Sequence, residues 1–496
     1  MTSYRNANVR SVVSRCASRA LWAAGITTLL LAASGVAQAE PPPRPEYNVL
    51  PWKEDWSVLR GVEKKDFFDP IKYVPMSKDG RYWASFGAQW RLRPEIWRKF
   101  NFGVQGAAPN DKDDDEFLLS RIMFHGDFHL GETFRIFLMG KSALSTDRDL
   151  QGGTTPFYVD QIDLQDGWIE AKLPIPTDKI DLRVRGGREE LLEGRQRLVS
   201  PLDWANVRRT FDGANFILRS KRFYSKAFWS RPVRVKKYAF NPSSGNQFFG
   251  IYNTMKDVQW VDGFDVYWLS LLSDDVTFNG TTGDENRQTM GGRTWGNIAT
   301  STFYYDGEFA YQFGDVGGAN INAFMFAGFV GVPFEVLKRV PKVELGFGYA
   351  SGDDTPGDDK VETFNQLFPL GHAYLGKIDA IGRQNVIDTS LTGMVNTFFD
   401  VKARLEGHYF WRASTDDAVY NAGGGVLRPG AAGSSSDVGG EIDLILTKGW
   451  GRHFVSQFGY SHFFAGKFID QAANTPAFLG ADKDIDFIYF NFTYRI

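Results

Sequence analysis

At 496 residues and a formal charge of −3, with 56 Lys and Arg set against 59 Asp and Glu, the chain lacks the basic excess that nucleic-acid binding draws on. Aromatic residues make up 15% and glycines number 52, yet the mean hydropathy is −0.30 and no stretch after the N-terminus is apolar for the length of a helical span. That excludes a helical membrane protein; a β-barrel, which hides its hydrophobicity in every second residue, fits the same composition.

The N-terminus reads as an address. Arg5, Arg10, Arg15 and Arg19 precede an apolar run from Ala20 to Val36 that closes on Ala37-Gln38-Ala39, so residues 1–39 are expected to be a cleaved signal peptide and the mature chain to start near Glu40. A single anchoring helix is the alternative, but the run is short for a span. The one cysteine, Cys16, lies inside this segment, which leaves the exported chain without disulfides, thiol nucleophiles or Cys-ligated metals. Residues 40–80, with Pro41 to Pro43 and Pro45, lack periodicity and are expected to be an irregular periplasmic or lumen-entering segment.

From Arg81 the text alternates. Tyr82, Phe86, Trp90 and Leu92 interleave with Arg81, Ser85, Gln89, Arg91 and Arg93; Ile122, Phe124 and Phe128 with Arg121, His125, Asp127 and His129; Ile136 and Leu138 with Arg135. The rhythm continues through Leu182 and Val184 against Asp181, Arg183 and Arg185, and through Leu405, Tyr409 and Trp411 against Lys402, Arg404, Glu406 and His408. Strands starting near 81, 118, 133, 163, 180, 209, 223, 247, 262, 294, 308, 320, 341, 384, 398, 438, 452 and 484 give about 18, an even count suited to a transmembrane antiparallel barrel over 81–496. Joins after even strands are expected to be short, as at Gly131-Glu132, Ser220-Lys221 and Asp306-Gly307. Those after odd strands are expected to be long, at 99–117, 146–162, 191–208, 274–293, 352–383, 413–436 and 466–482. The short join at 316–319 departs from that rule. The last strand alternates from Ile488 to Ile496 and can close the barrel against the first.

No nucleophile–base, P-loop or H-E-x-x-H pattern appears, so no enzyme is expected. His125 and His129 stand four apart on a strand, too far for easy joint ligation, and no metal site is assigned. The acid runs Asp111 to Glu116 and Asp353, Asp354, Asp358, Asp359 lack EF-hand spacing; they read as solvated loop acids, with loop calcium as the alternative and no other cofactor. The lumen face carries more basic than acidic residues, and such a surface attracts anions.

Gly187-Arg188-Glu189, Gly194-Arg195-Gln196, Pro201-Leu202-Asp203-Trp204, Arg209 to Gly213, Ser351 to Asp354, Phe368 to Tyr374, and Glu441 to Leu444 leading to Thr447-Lys448 resemble the bacterial alginate export family. The resemblance runs from about residue 80 onward. It implies an 18-stranded monomeric barrel in outer-membrane lipid. Its arginine-lined pore would pass an anionic polysaccharide in concert with periplasmic secretion partners, with loops gating the mouths. On that basis Arg185 and Arg188 are the expected substrate contacts, backed by Arg91, Arg93, Arg183 and Arg404, with Arg121 and Arg135 on the same face. The alternative function is a porin importing small anionic or aromatic solutes.

Overall fold

The computed structural model describes residues 44–496 apart from 105–111, 260, 299–300, 335–338 and 340. The signal peptide expected over residues 1–39, the bounds of the segment before residue 44, and Asp111 of the first acid run lie outside the described residues.

Alternation becomes a wall with two faces. In the first strand, β1 (Tyr82–Arg98), Phe86 and Trp90 point outward and are 38% and 50% exposed, whereas Arg91, Arg93, Glu95 and Trp97 point inward and are buried. The same parity runs through β2 (Asp115–Leu130), β3 (Phe134–Ser145), β4 (Asp160–Lys172), β5 (Asp181–Glu189), β6 (Phe211–Arg219), β7 (Phe223–Pro232), β8 (Gln247–Val258) and β9 (Val261–Phe278). It continues in β10 (Thr281–Asn297), β11 (Tyr304–Val316), β12 (Ala319–Pro333), β13 (Lys342–Ala350), β14 (Val386–Asn396), β15 (Val401–Trp411), β16 (Asp437–Trp450), β17 (Phe454–Ala465) and β18 (Ile485–Arg495). Each strand pairs antiparallel with its neighbours, and β18 returns to β1 from Gln89↔Arg495 to Arg98↔Asp486. Among the described residues this makes a closed 18-stranded barrel, the form in which a sheet crosses lipid without an open edge. The outward Ile122, Phe124, Leu138, Ile169, Phe216 and Phe309 supply the lipid-facing belt.

Two joins differ from the sequence reading. Residues 274–293, expected to be a long loop, belong mostly to β9 and β10, which turn at Asn279-Gly280 with φ of 50° and 81°. Both left-handed positions suit Asn-Gly, the hairpin signal that the polar text around it masked. Asp306-Gly307, expected to be a turn, lies inside β11 and pairs with Phe329 and Gly328. The short join at 316–319 is real: β11 and β12 meet at Gly317-Gly318, with φ of 54° and 90°.

The bore is not empty. Residues 190–210, 351–385 and 412–436 fold inward from the long-loop end and pack on one another. Phe368 N–H donates to Leu198 O at 2.9 Å, Leu370 N–H to Gln196 O at 2.9 Å and Gly382 N–H to Tyr420 O at 2.7 Å. Phe368 sits between the lumen-facing Phe211 and Phe248, with ring centroids 5.2 and 4.8 Å away. From the other end, the N-terminal segment inserts two short 3-10 turns, Pro51–Lys53 and Trp56–Leu59. Trp52 packs edge-on against Phe137 at 5.3 Å and Trp168 at 5.9 Å, and Trp56 joins Leu59, Tyr73 and Trp83.

Candidate functional site

What the inward loops leave open are two adjoining cavities of about 600 and 830 Å³ that share Arg293 and Trp295. Arg293 lies near the end of β10 on the short-turn side, and the second cavity is also lined by the β6–β7 turn, Arg219 to Phe223. Both therefore form a vestibule at the periplasmic end, roofed by Arg195 and Arg197 from the first inner loop and Tyr374 and Arg383 from the second.

The walls are charged. Around the second cavity eight basic side chains, Lys53, Arg135, Arg185, Arg219, Lys221, Arg222, Lys256 and Arg293, face four acids, Glu54, Asp55, Glu193 and Asp265. Arg293 donates to Asp265 at 2.9 Å and to Asp306 at 2.6 Å, which fixes its guanidinium where the two cavities meet. Arg197 donates to Asp306 at 2.8 Å and Glu308 at 3.0 Å, tying the first inner loop to β11. In such a cleft, low-dielectric walls concentrate the field of the excess cations on any anion that enters.

The arginines singled out in the sequence do not all reach this space. Arg185 lines it but is held by Glu170 at 2.6 Å and Glu189 at 3.0 Å, with its guanidinium 3.8 Å over Trp168. Arg135 lines it too, bonded to Asp127 and to Trp52 O. Arg404 lines the first cavity beside Glu406. Arg183 pairs with Asp181 and Glu170.

Arg188 requires a correction. Its register partner is Gly167, between the lumen-facing pairing Trp168↔Gly187 and the outer rim, so parity turns it to the outer wall, where it pairs with Asp212 at 2.7 Å. Arg91, Arg93 and Arg121 also depart from their expected role, because the first inner loop consumes their donors. Arg91 donates to Asp203 O at 2.7 Å and Ala205 O at 2.8 Å, Arg93 to Trp204 O at 2.6 Å, and Arg121 to the Asp203 carboxylate at 2.7 Å and Ala205 O at 3.0 Å. All three are under 5% exposed. Burial would raise the Asp203 carboxyl, but Arg121, Arg208 and Arg91 outweigh it and hold it far below the usual carboxylate range.

Among the acids, Asp353 is buried rather than solvated. It accepts from Thr355 N–H at 2.9 Å and Glu362 N–H at 3.2 Å, and from Asn279 Nδ2 at 2.5 Å. His129 stacks on Trp83 at 3.8 Å. Arg197, Arg293 and Arg383 escaped the sequence reading. A signal was present for two of them: the loops holding Arg197 and Arg383 carry Leu191, Leu198, Val199, Phe364, Phe368, Ile378 and Ile381, apolar residues that a solvated outer loop would not bear.

A family model described as Alginate export matches residues 82–477. Among solved structures, the Pseudomonas aeruginosa protein OccK2 (OpdF) in complex with glucuronate is 9% identical, with 86% of this chain and 98% of that one covered and a TM-score of 0.52. Pseudomonas aeruginosa OpdK with vanillate is also 9% identical, with 83% and 98% covered and a TM-score of 0.54. Both likenesses speak to the fold. No curated protein matches.

Proposed function

The chain belongs to the alginate export family and forms an outer-membrane channel, and we propose that the solute it passes is a uronate-type anion gathered in the periplasmic vestibule. The observation that carries this reading is the excess of basic over acidic side chains around the second cavity, placed at the entrance from the periplasm and continued by Arg293 into the first. Arg and Lys suit carboxylate groups along a sugar chain, Arg through paired N–H donors and Lys as a point charge. The inward loops then act as the step between vestibule and exterior: a polymer crosses only when residues 190–210 and 351–385 part.

A second reading is favoured by a specific observation. Cavities of about 600 and 830 Å³ under a packed loop roof are the size of small-ligand sites, which suits a monomeric or short acidic solute. Single-channel recording of the refolded barrel in a planar bilayer separates the two. Block by polymannuronate at lower concentration than by glucuronate supports polymer passage. Block by glucuronate alone leaves a porin for small anions, and cation selectivity with neither block refutes both.

A further inference from the structure

We propose that the lumen wall carries a binding site for a divalent transition ion of the zinc class, formed by Glu406 and His408 of β15 and Asp443 of β16. The three offer one ligand atom each within 4.8 Å of one another, and all three are buried. Glu406 and Asp443 are directly paired across the two strands, and His408 lies two residues along on the same face, so the barrel parity delivers all three to one point.

Independent features point to an ion rather than to an ordinary polar cluster. Asp443 is fully buried beside the Glu441 carboxylate, and no N–H or O–H donor among the described residues reaches either of its oxygens; the Ser461 hydroxyl, paired across from it, and Glu441 Oε2 also lack a partner. An unpartnered buried carboxylate is costly unless a cation meets it. His408 Nδ1 lies 3.0 Å from Asp388 Oδ1, which directs Nε2 toward Glu406 Oε2 at 3.4 Å. That separation is long for a hydrogen bond and close to the spacing of two ligands on one metal, and a carboxylate on the far ring nitrogen is the usual support of a metal-bound histidine.

Charge balance agrees. Four carboxylates, Glu406, Asp443, Glu441 and Asp388, converge here, against Lys377 bonded to Glu406 at 3.0 Å, Arg404 beside it and the buried Arg383 near Asp388. The acids outnumber the bases, the sign that a cation requires, and the mixed imidazole–carboxylate set suits zinc or manganese better than calcium. Glu406 and His408 line the first cavity, which gives the ion an entry path. Glu441 accepts from Ile378 N–H at 2.9 Å, so a bound ion would also stiffen the attachment of the second inner loop to the wall.

The test uses the full barrel, refolded without a polyhistidine tag, stripped with chelator, exposed to Zn2+ and desalted before elemental analysis. One zinc per chain is expected. Asp443→Asn and His408→Gln should each weaken binding at least about tenfold, and Asp388→Asn by roughly 10- to 100-fold. His462→Gln, at the outer rim, should bind as the parent does. Heat-modifiable gel migration identifies variants that refold, so that loss through misfolding is separated from loss of a ligand. Zinc retention by both Asp443→Asn and His408→Gln equal to the parent, or no zinc in the parent, overturns the assignment and leaves Glu441 and Asp443 as a proton-sharing carboxyl pair.

Discussion

Replacing Arg121 by Ala should loosen the first inner loop and let the bore open. Arg121 is 1% exposed and donates four hydrogen bonds: to Asp203 Oδ1 at 2.7 Å, Gln89 Oε1 at 2.8 Å, Ala205 O at 3.0 Å and Asp203 O at 3.1 Å. Three of the four reach the loop. Removing one partner of a buried ion pair costs about 3–5 kcal/mol, chiefly because the remaining charge loses its compensation. Arg91 and Arg208 still face Asp203 and keep the effect near the lower figure. Since about 1.4 kcal/mol is a factor of ten in an equilibrium, the population with the loop undocked should rise on the order of a hundredfold. The β1 and β2 ladder does not depend on this side chain, so the barrel itself should persist. Planar-bilayer recording should then show a higher open probability than the parent, and a protease added from the long-loop side should cut within residues 190–210. Arg121→Lys, which keeps the charge but cannot reach all four acceptors, should fall between. Parent-like gating and parent-like protease resistance in Arg121→Ala would refute the view that this arginine clamps the loop.

Further outcomes follow from the same geometry. Trp52→Ala empties the space between Phe137 and Trp168, a loss of about 3–5 kcal/mol for an aromatic side chain, and should release the N-terminal segment to proteolysis while the barrel keeps its heat-modifiable migration. Burial pushes His372 below the usual histidine value against the opposing pull of Asp379, and its ring stacks on Trp204 at 3.7 Å. A depressed folded value favours the neutral ring, so this contact contributes above about pH 6.5, the unfolded histidine value. The contribution declines as pH falls through the lower folded value. Open probability should rise on acidification, and His372→Phe should flatten the response. Arg293→Gln leaves Asp265 and Asp306 short of a partner at the meeting of the cavities; one charge at about 4 Å in water is about 1 kcal/mol, so the anion-to-cation permeability ratio should fall roughly fivefold.

Most of the barrel was legible because period-two alternation is a local property. The wall at β1, β2, β5 and β15 follows from which residues tolerate lipid and which do not, and seventeen of the eighteen strand starts expected from the text fall within a few residues of those observed. The exception is β10, because Asn279-Gly280 turns two strands whose outer ends are as polar as a solvated loop.

The site was less legible. Its residues come from segments far apart in the chain, and a sequence does not say which loop folds inward. Arg188 carried the right chemistry on the wrong side, since one residue of parity reverses the face. Arg91, Arg93 and Arg121 point into the lumen as expected, but the carbonyls of residues 203–205 arrive from a hundred residues away and take their donors. The sequence by itself determined an outer-membrane barrel with an apolar outer face and a charged inner one, because alternation and charge are carried by each residue. Which arginines remain for a solute, and whether the bore stands open, was decided only by the tertiary structure, because it depends on which distant groups occupy the same few ångströms.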